Sequence, residues 1–337
     1  MVYGAIDLHL RYSQIRIVTE TGAVVCERRV ATTRERLTAV FAPFGAMRIL
    51  VEASTESEWV AQTLEAVGHE VIVADPNFAP MYGDLRRTVK TDGRDVAALA
   101  EANRHGWYRP SYRVSTAQRQ QRQRVGARRH LVEARTGTIS VVRAILRQQG
   151  YRVSSGSSAT VPARIAALAL PAELAAIVAP LLRTVHNLSV EIAALERAIR
   201  AVSAADPVIG RLQTVPGVGP IVAASFRAFV DTPTRFAGAG QLTAALGLVP
   251  REASSAERQR RGHVTKVGPA ALRSVLVQAA WAHWRTIRTG RLRTWVDQVA
   301  ARRGKRIAVI ALARRLSRIL FAIWRDQTVF DRARLAA

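Results

Sequence analysis

Cysteine is almost absent: Cys26 is the only one in 337 residues, so no internal disulfide and no cysteine-based metal knuckle can form, which fits a reducing cytoplasm. Histidine is sparse as well. His9, His69, His105, His130, His186, His263 and His283 show no metal-ligand spacing, so no histidine-held zinc site is expected. Lysine is nearly missing, with only Lys90, Lys266 and Lys305, and the basic character therefore falls to arginine. No long apolar run goes uninterrupted. The most apolar stretch, Ile165–Leu182, contains Pro171, Glu173 and Pro180 and reads as an Ala-rich helical linker rather than a membrane span. The start MVYGAIDLHL lacks a basic leader and a cleavage site, so no signal peptide is expected.

Acid is scarce and unevenly placed. Lys and Arg total 50 against 25 Asp and Glu, a net charge of +25. Residues 1–110 hold 13 basic and 14 acidic side chains, whereas residues 111–337 hold 37 and 11. The whole excess is C-terminal. This division points to a near-neutral domain that does chemistry followed by domains that hold a polyanion, and nucleic acid fits that better than a membrane surface. A hydrophobic fraction of 49% over this length supports two or three domains with real cores.

The first hundred residues alternate strand-like and helix-like patterns. Val2–Leu8, Gln14–Thr19 and Ala23–Val30 read as strands, the last two joined at Thr21-Gly22; Thr32–Phe41 reads as helix. Met47–Glu52 and Glu70–Ala74 read as strands, Trp59–Val67 and Asp92–Arg104 as helices. The result is an α/β domain with a mixed sheet. Asp7 interrupts an apolar first strand and Glu52 ends the fourth, where a buried strand favours apolar residues. Asp92 and Asp95 share one face of the last helix, although Asp92 also suits a helix cap. Four carboxylates in this arrangement suit two hard cations that clamp the oxygens of a phosphoryl transfer. Each alone also has an ordinary structural explanation.

The strand order, with acids on the first strand, the fourth strand and a late helix, resembles the ribonuclease-H-like fold in its RuvC-like branch. The segments AIDLH, ILVEAS and VKTDGRDVAALAE resemble more narrowly the N-terminal domain of DEDD transposases of the insertion-sequence-110 family. The resemblance implies that Asp7, Glu52, Asp92 and Asp95 bind Mg²⁺ or Mn²⁺.

Arg113–Arg147 reads as a helical arm, and its Arg119, Arg122, Arg124, Arg128 and Arg129 suit phosphate contacts as well as a solvated face. Val185, Leu188, Ile192, Leu195, Ile199 and Val202 recur at 3-4-3-4-3 spacing, the seam of a short coiled coil within the chain or with another copy. Leu212–Phe226 encloses PGVGP and has the form of a helix-hairpin-helix element, in which Gly217 and Gly219 let backbone amides approach phosphate; a plain interhelical turn is the alternative. Ser254 and Ser255 lie in a small-residue loop followed by Arg258, Arg260, Arg261 and Lys266, suited to nucleophilic attack at phosphorus but also to a simple turn.

From Leu212 to Ala280 the chain resembles the C-terminal domain of the same family in PGVGP, ALGLVPREASS and GHVTKVGPAALRSVLVQAAW, and Lys305–Trp324 resembles its final helix. Ser255 matches the catalytic serine, with Ala256 and Pro269 where the family usually has glycine and asparagine. The chain thus divides into a catalytic RNase H-like domain (1–110), a basic arm, linker and coiled coil (111–205), and a mainly α-helical transposase domain (206–330). The resemblance implies a composite site that cuts DNA through a 5′-phosphoserine link, a structured noncoding guide RNA, a homo-oligomer (dimer or tetramer) and association with the bacterial nucleoid. Two other readings of the residues remain: a metal-dependent junction nuclease in which Ser255 is decoration, and a non-catalytic nucleic-acid-binding protein.

Overall fold

The computed structural model describes residues 2–82, 92–252 and 261–331. The chain forms two compact units, Met1–Arg113 and Val114–Ala337. It is mixed α/β with an N-terminal mixed sheet and a mostly helical remainder.

In the first unit β1 (Val2–Leu8), β2 (Tyr12–Thr19) and β3 (Val24–Ala31) form an antiparallel meander. Gly22, at φ +88°, makes the turn between the last two. Helix α1 (Arg34–Phe41) begins under a cap in which the Thr33 hydroxyl accepts the Arg36 amide at 3.3 Å. Strand β4 (Arg48–Glu52), helix α2 (Ser57–Glu65), strand β5 (Glu70–Ala74) and helix α3 (Asp92–His105) complete the unit. The sheet order is β3-β2-β1-β4-β5, with β4 parallel to both β1 and β5.

Strand alternation sorts the apolar residues between two cores. Ile6, Ile49 and Val51 pack with Leu37 and Phe41 of α1 and Val60 and Leu64 of α2. Ala5, Val18 and Leu50 pack on the opposite face with Val96, Leu99 and Ala100 of α3. Asn103, fully buried near the end of α3, ties that helix to the two central strands. Its amide donates to the carbonyls of Gly4 and Arg48 at 2.7 and 2.8 Å, and Arg48 returns two bonds, to the Asn103 side chain (2.9 Å) and carbonyl (2.7 Å). A buried amide with every partner in place fixes position as well as energy.

In the second unit α4 (Thr116–Gln148) runs antiparallel to α6 (Ala172–Ala204), with the short α5 (Val161–Ala166) between them in sequence. Gln121 donates to Ser203 (3.5 Å), Arg128 to Glu196 (2.6 Å) and Arg135 to Ser189 (3.3 Å). These partners step by seven residues along each helix, one heptad per rung. Ile139, Val142, Leu146, Val178 and Val185 form a buried apolar cluster at the other end of the pair.

Two expectations change here. Residues 172–182 are no linker but the first turns of α6, with Pro171 as its N-cap, Pro180 inside it, and Leu174 and Val178 buried. Of the expected seam, Val185, Ile192 and Ile199 are buried, whereas Val202 is 50% exposed. The alternate seam positions are the polar Ser189, Glu196 and Ser203, which meet polar groups of α4; apolar spacing alone therefore chose Leu188, Leu195 and Val202 one residue out of phase.

The remaining elements are α7 (Pro207–Gln213), α8 (Pro220–Val230), α9 (Ala239–Ala245), the short antiparallel pair β6 (Pro250–Glu252) and β7 (Arg261–Val264), α10 (Ala270–Thr286), α11 (Arg291–Arg303) and α12 (Lys305–Arg325). Leu312, Leu316 and Leu320 of α12 are fully buried at the centre of this helical core.

His283 of α10 is buried, with Nδ1 2.7 Å from the Pro216 carbonyl and Nε2 unpartnered. The neutral ring therefore carries its proton on Nδ1 and donates it. Burial holds the His283 pKa below the ordinary value, against the smaller opposing effect of that hydrogen bond. The unfolded chain then binds a proton that the folded chain refuses, so stability falls as pH drops below about 6.5 toward the folded value. Melting temperature is expected to fall between pH 7.5 and 5.5, and His283→Gln is expected to flatten that dependence; an equal slope in the variant would show that His283 does not carry it.

Candidate functional site

Asp7 and Glu52 reach the same side of the sheet by the alternation that buries their neighbours. Asp7 follows Ala5 by two positions on β1 and Glu52 follows Leu50 by two on β4, so both belong to the face covered by α3. The parallel register pairs Ile6 with Val51, which brings the next residues, Asp7 and Glu52, level at the strand ends. Asp95 lies in the first turn of α3, one residue before the buried Val96.

The electrostatics agree with this placement. The Asp7 carboxyl is only 14% exposed, and its pKa is raised, chiefly by burial, with the charges of Asp95 and Glu52 adding to the rise. His9 opposes them through its charge and a 3.1 Å contact between its Nε2 and the Asp7 carboxylate. Two of the other expected acids, Glu52 on β4 and Asp95 on α3, thus act on Asp7 of β1. Asp92 begins α3, and its side chain lies outside the described residues. Among the described residues no three potential ligands are close enough to hold an ion as they stand. The donor set still fits a hard divalent cation in kind, since its members are carboxylates and the repulsion that Asp95 and Glu52 exert on Asp7 is what a cation relieves.

Ser254, Ser255, Arg258 and Arg260 lie outside the described residues, as does the Arg261 side chain. The elements on either side of them are described. β6 and β7 bracket residues 253–260, and the base of this pair is locked by two interleaved turns. Gly247 (φ +65°) and Gly268 (φ +80°) each face backbone: a Cβ on Gly247 would lie 2.1 Å from the Val267 carbonyl oxygen, and one on Gly268 would lie 2.0 Å from that of Ala245. The Arg273 guanidinium donates to the carbonyls of Leu246 (3.2 Å), Val267 (2.9 Å) and Gly268 (2.9 Å), joining both turns to α10. Lys266, at φ +58°, belongs to the second turn. Pro269 is the N-cap residue of α10.

The PGVGP segment joins α7 to α8. Gly217 (φ +85°) sits against α10, where a Cβ would come within 2.5 Å of the His283 amide nitrogen. Its need for glycine is thus explained by packing inside the protein. Gly219 is exposed and is the N-cap residue of α8, with open space around it.

The arginines of α4 divide. Arg122 donates to the carbonyls of Ala228 (2.8 Å) and Phe229 (2.7 Å), and Arg128 is paired with Glu196, so these two hold α4 to α8 and α6. Arg119 bonds the Val114 carbonyl (2.9 Å) and Thr116, Arg124 reaches Gln121 at 3.4 Å, and Arg129 pairs with Glu133 on the open surface. Sequence reading did not find His9, Asn103 or Arg273 as positioning residues. Only His9 left a signal, its place two residues after Asp7, just beyond the end of β1.

Comparison with known proteins agrees with this arrangement. Residues 5–150 match a DEDD transposase family model of IS110 elements, and residues 210–294 match the Transposase IS116/IS110/IS902 family. A probable family 20 transposase of Pseudomonas aeruginosa is 31% identical, covering 96% of this chain and 97% of that protein. The transposase for insertion sequence element IS1328 of Yersinia enterocolitica is 26% identical over 97% of this chain and 98% of its own length. The transposase for IS1111A of Coxiella burnetii is 26% identical over 96% and 90%. A near-neutral first domain, a basic helical remainder and the order of the two matched segments lead to one conclusion: the chain belongs to the IS110 family of transposases.

Proposed function

We propose that this transposase cuts and rejoins DNA at the ends of an insertion sequence through a serine nucleophile and a carboxylate-held metal centre, with a structured noncoding RNA choosing the sites. The observation that carries the reading is the convergence of Asp7, Glu52 and Asp95, whose charges raise the pKa of an already buried Asp7. The sheet order β3-β2-β1-β4-β5, with α3 over the acidic strand ends, supports the RNase H-like, RuvC-like assignment of this domain.

Asp7, Glu52, Asp92 and Asp95 are the residues that would hold Mg²⁺ or Mn²⁺, which supplies stabilisation of the charge that develops on the phosphoryl oxygens. Ser255 attacks the scissile phosphorus. The hydroxyl proton leaves, the 3′ oxygen departs as a hydroxyl, and the 5′ phosphate stays on the serine. Arg258, Arg260, Arg261 and Lys266 supply cations along the same segment, and Gly219 offers an open helix start for a phosphate. The α4–α6 pair supports the coiled-coil reading, and a homo-oligomer provides the several active sites that exchange between two duplexes requires.

The test is a denaturing gel of purified protein, Mg²⁺, labelled element-end DNA and the flanking transcript. Wild type is expected to give a protein–DNA adduct that Ser255→Ala abolishes. Cutting without adduct, undiminished in Ser255→Ala, would replace this mechanism with simple metal-dependent hydrolysis.

A further inference from the structure

An open groove of about 1560 Å³ runs along α12 in the second unit. One wall is the β6–β7 pair, through Pro250, Gly262, His263 and Val264, with Lys266 beyond it. The other side carries Arg303, Arg306, Arg314 and Arg318. These four have no acidic partner among the described residues, unlike Arg122 and Arg128 of α4, which are engaged inside the fold. Among the described residues no aspartate or glutamate lines the groove. Four unpaired guanidiniums and an ammonium in one concave surface repel one another, and a polyanion removes that cost.

We infer that this groove holds the phosphodiester backbone of one strand of duplex DNA and leads it to the segment that carries Ser255, an inference that rests on the reading of Ser255 as nucleophile. Three observations select duplex DNA. The floor is aliphatic, made by Ile307, Ile310, Ile319 and Ala322. Its one indole, Trp295, is covered by the Arg315 guanidinium at 4.8 Å from the ring centroid. Unpaired bases need aromatic faces to stack on, and among the described lining residues no indole or phenyl face is open, Phe321 being buried and Trp295 covered, so the groove suits a backbone whose bases are paired and turned away. Along α12 the cations extend from Arg306 to Arg318, about 18 Å of helix and about half a turn of B-DNA, with Arg303 at the end of α11 beside them. The wall opposite them is made by the strands that bracket residues 253–260, so a strand lying in the groove passes the attacking segment.

The test uses the full-length protein, a fluorescent 30-base-pair duplex, an RNA hairpin of equal charge, and the variants Arg314→Glu/Arg318→Glu and Arg314→Lys/Arg318→Lys. The reversed pair is expected to lose about tenfold or more in duplex affinity at 0.1 M salt and to lower the salt slope by about two. Its loss on the RNA hairpin is expected to be at least about fivefold smaller. The lysine pair is expected to stay within about threefold of wild type, and melting temperatures to be unchanged because neither arginine has an acidic partner among the described residues. Duplex affinity within twofold of wild type in the reversed pair, or an equal or greater loss on RNA, would overturn the assignment. Ser255→Ala separates the two readings: it is expected to bind duplex as wild type does, and absence of any adduct in wild type would remove the serine mechanism while leaving the groove result intact.

Discussion

Asp7→Asn is expected to lower strand cutting by about 10²–10³-fold or more while leaving the melting temperature unchanged or raised. The two effects have one cause. Asp7 sits at the end of the central strand with its carboxyl mostly covered, and the charges of Asp95 and Glu52 act on it. Burial and like charge both disfavour the ionised form, so at neutral pH the folded protein holds a carboxylate against a cost. A neutral amide of the same shape removes that cost and keeps an oxygen for His9, but it is a far weaker ligand for a hard cation. Cutting assayed in Mg²⁺ and melting assayed in chelator read the two halves separately. Cutting that survives in Asp7→Asn would return the protein to a nucleic-acid scaffold whose arginine surface alone matters; a large loss of stability would mean that Asp7 is a structural residue.

Gly268→Ala is expected to destabilise the second unit by about 3 kcal/mol and to abolish cutting. The left-handed backbone at φ +80° costs an alanine about 1 kcal/mol, and a Cβ only 2.0 Å from the Ala245 carbonyl oxygen forces two interleaved turns apart, worth about another 2 kcal/mol. For a unit of this size that is a fall of roughly 6–12 °C in melting temperature. The turns so separated are those that Arg273 clamps at the base of β6 and β7, hence the loss of cutting. Gly210→Ala is the matching control. Gly210 lies within α7 with open space around it, so alanine there gains helix propensity and is expected to stabilise by about 0.5 kcal/mol. Equal melting temperatures in Gly268→Ala and wild type would show that the turns do not lock this region.

The legible parts of the sequence were those in which local pattern and tertiary role coincide. β1 and β5 run where alternation and β-branched runs put them, Val2–Leu8 and Glu70–Ala74, and α3 ends one residue beyond its expected last position. Asp7 and Glu52 stood out because each breaks an apolar strand, and the structure brings them level on the α3 face with Asp95. Pattern failed where polar side chains do the packing. Ser189, Glu196 and Ser203 face α4 through hydrogen bonds, a seam that hydrophobic spacing does not reveal. Arginine content failed for the same reason: spacing in α4 did not separate Arg122 and Arg128, held by carbonyls and a carboxylate, from the unpaired guanidiniums of α12. Gly217, Gly247 and Gly268 were visible as glycines in motifs, but the backbone atoms that require them come from residues about 20 to 66 positions away and belong to the fold alone.

The central claim is that a serine of the segment between β6 and β7 becomes joined to DNA. The most direct measurement is mass spectrometry of the protein–DNA adduct after nuclease and protease digestion, which reads the residue that carries the phosphate. The account predicts a phosphorylated Ser255 with its nucleotide attached through the 5′ phosphate. A phosphate on any other side chain, or cut DNA with no modified peptide, would contradict it.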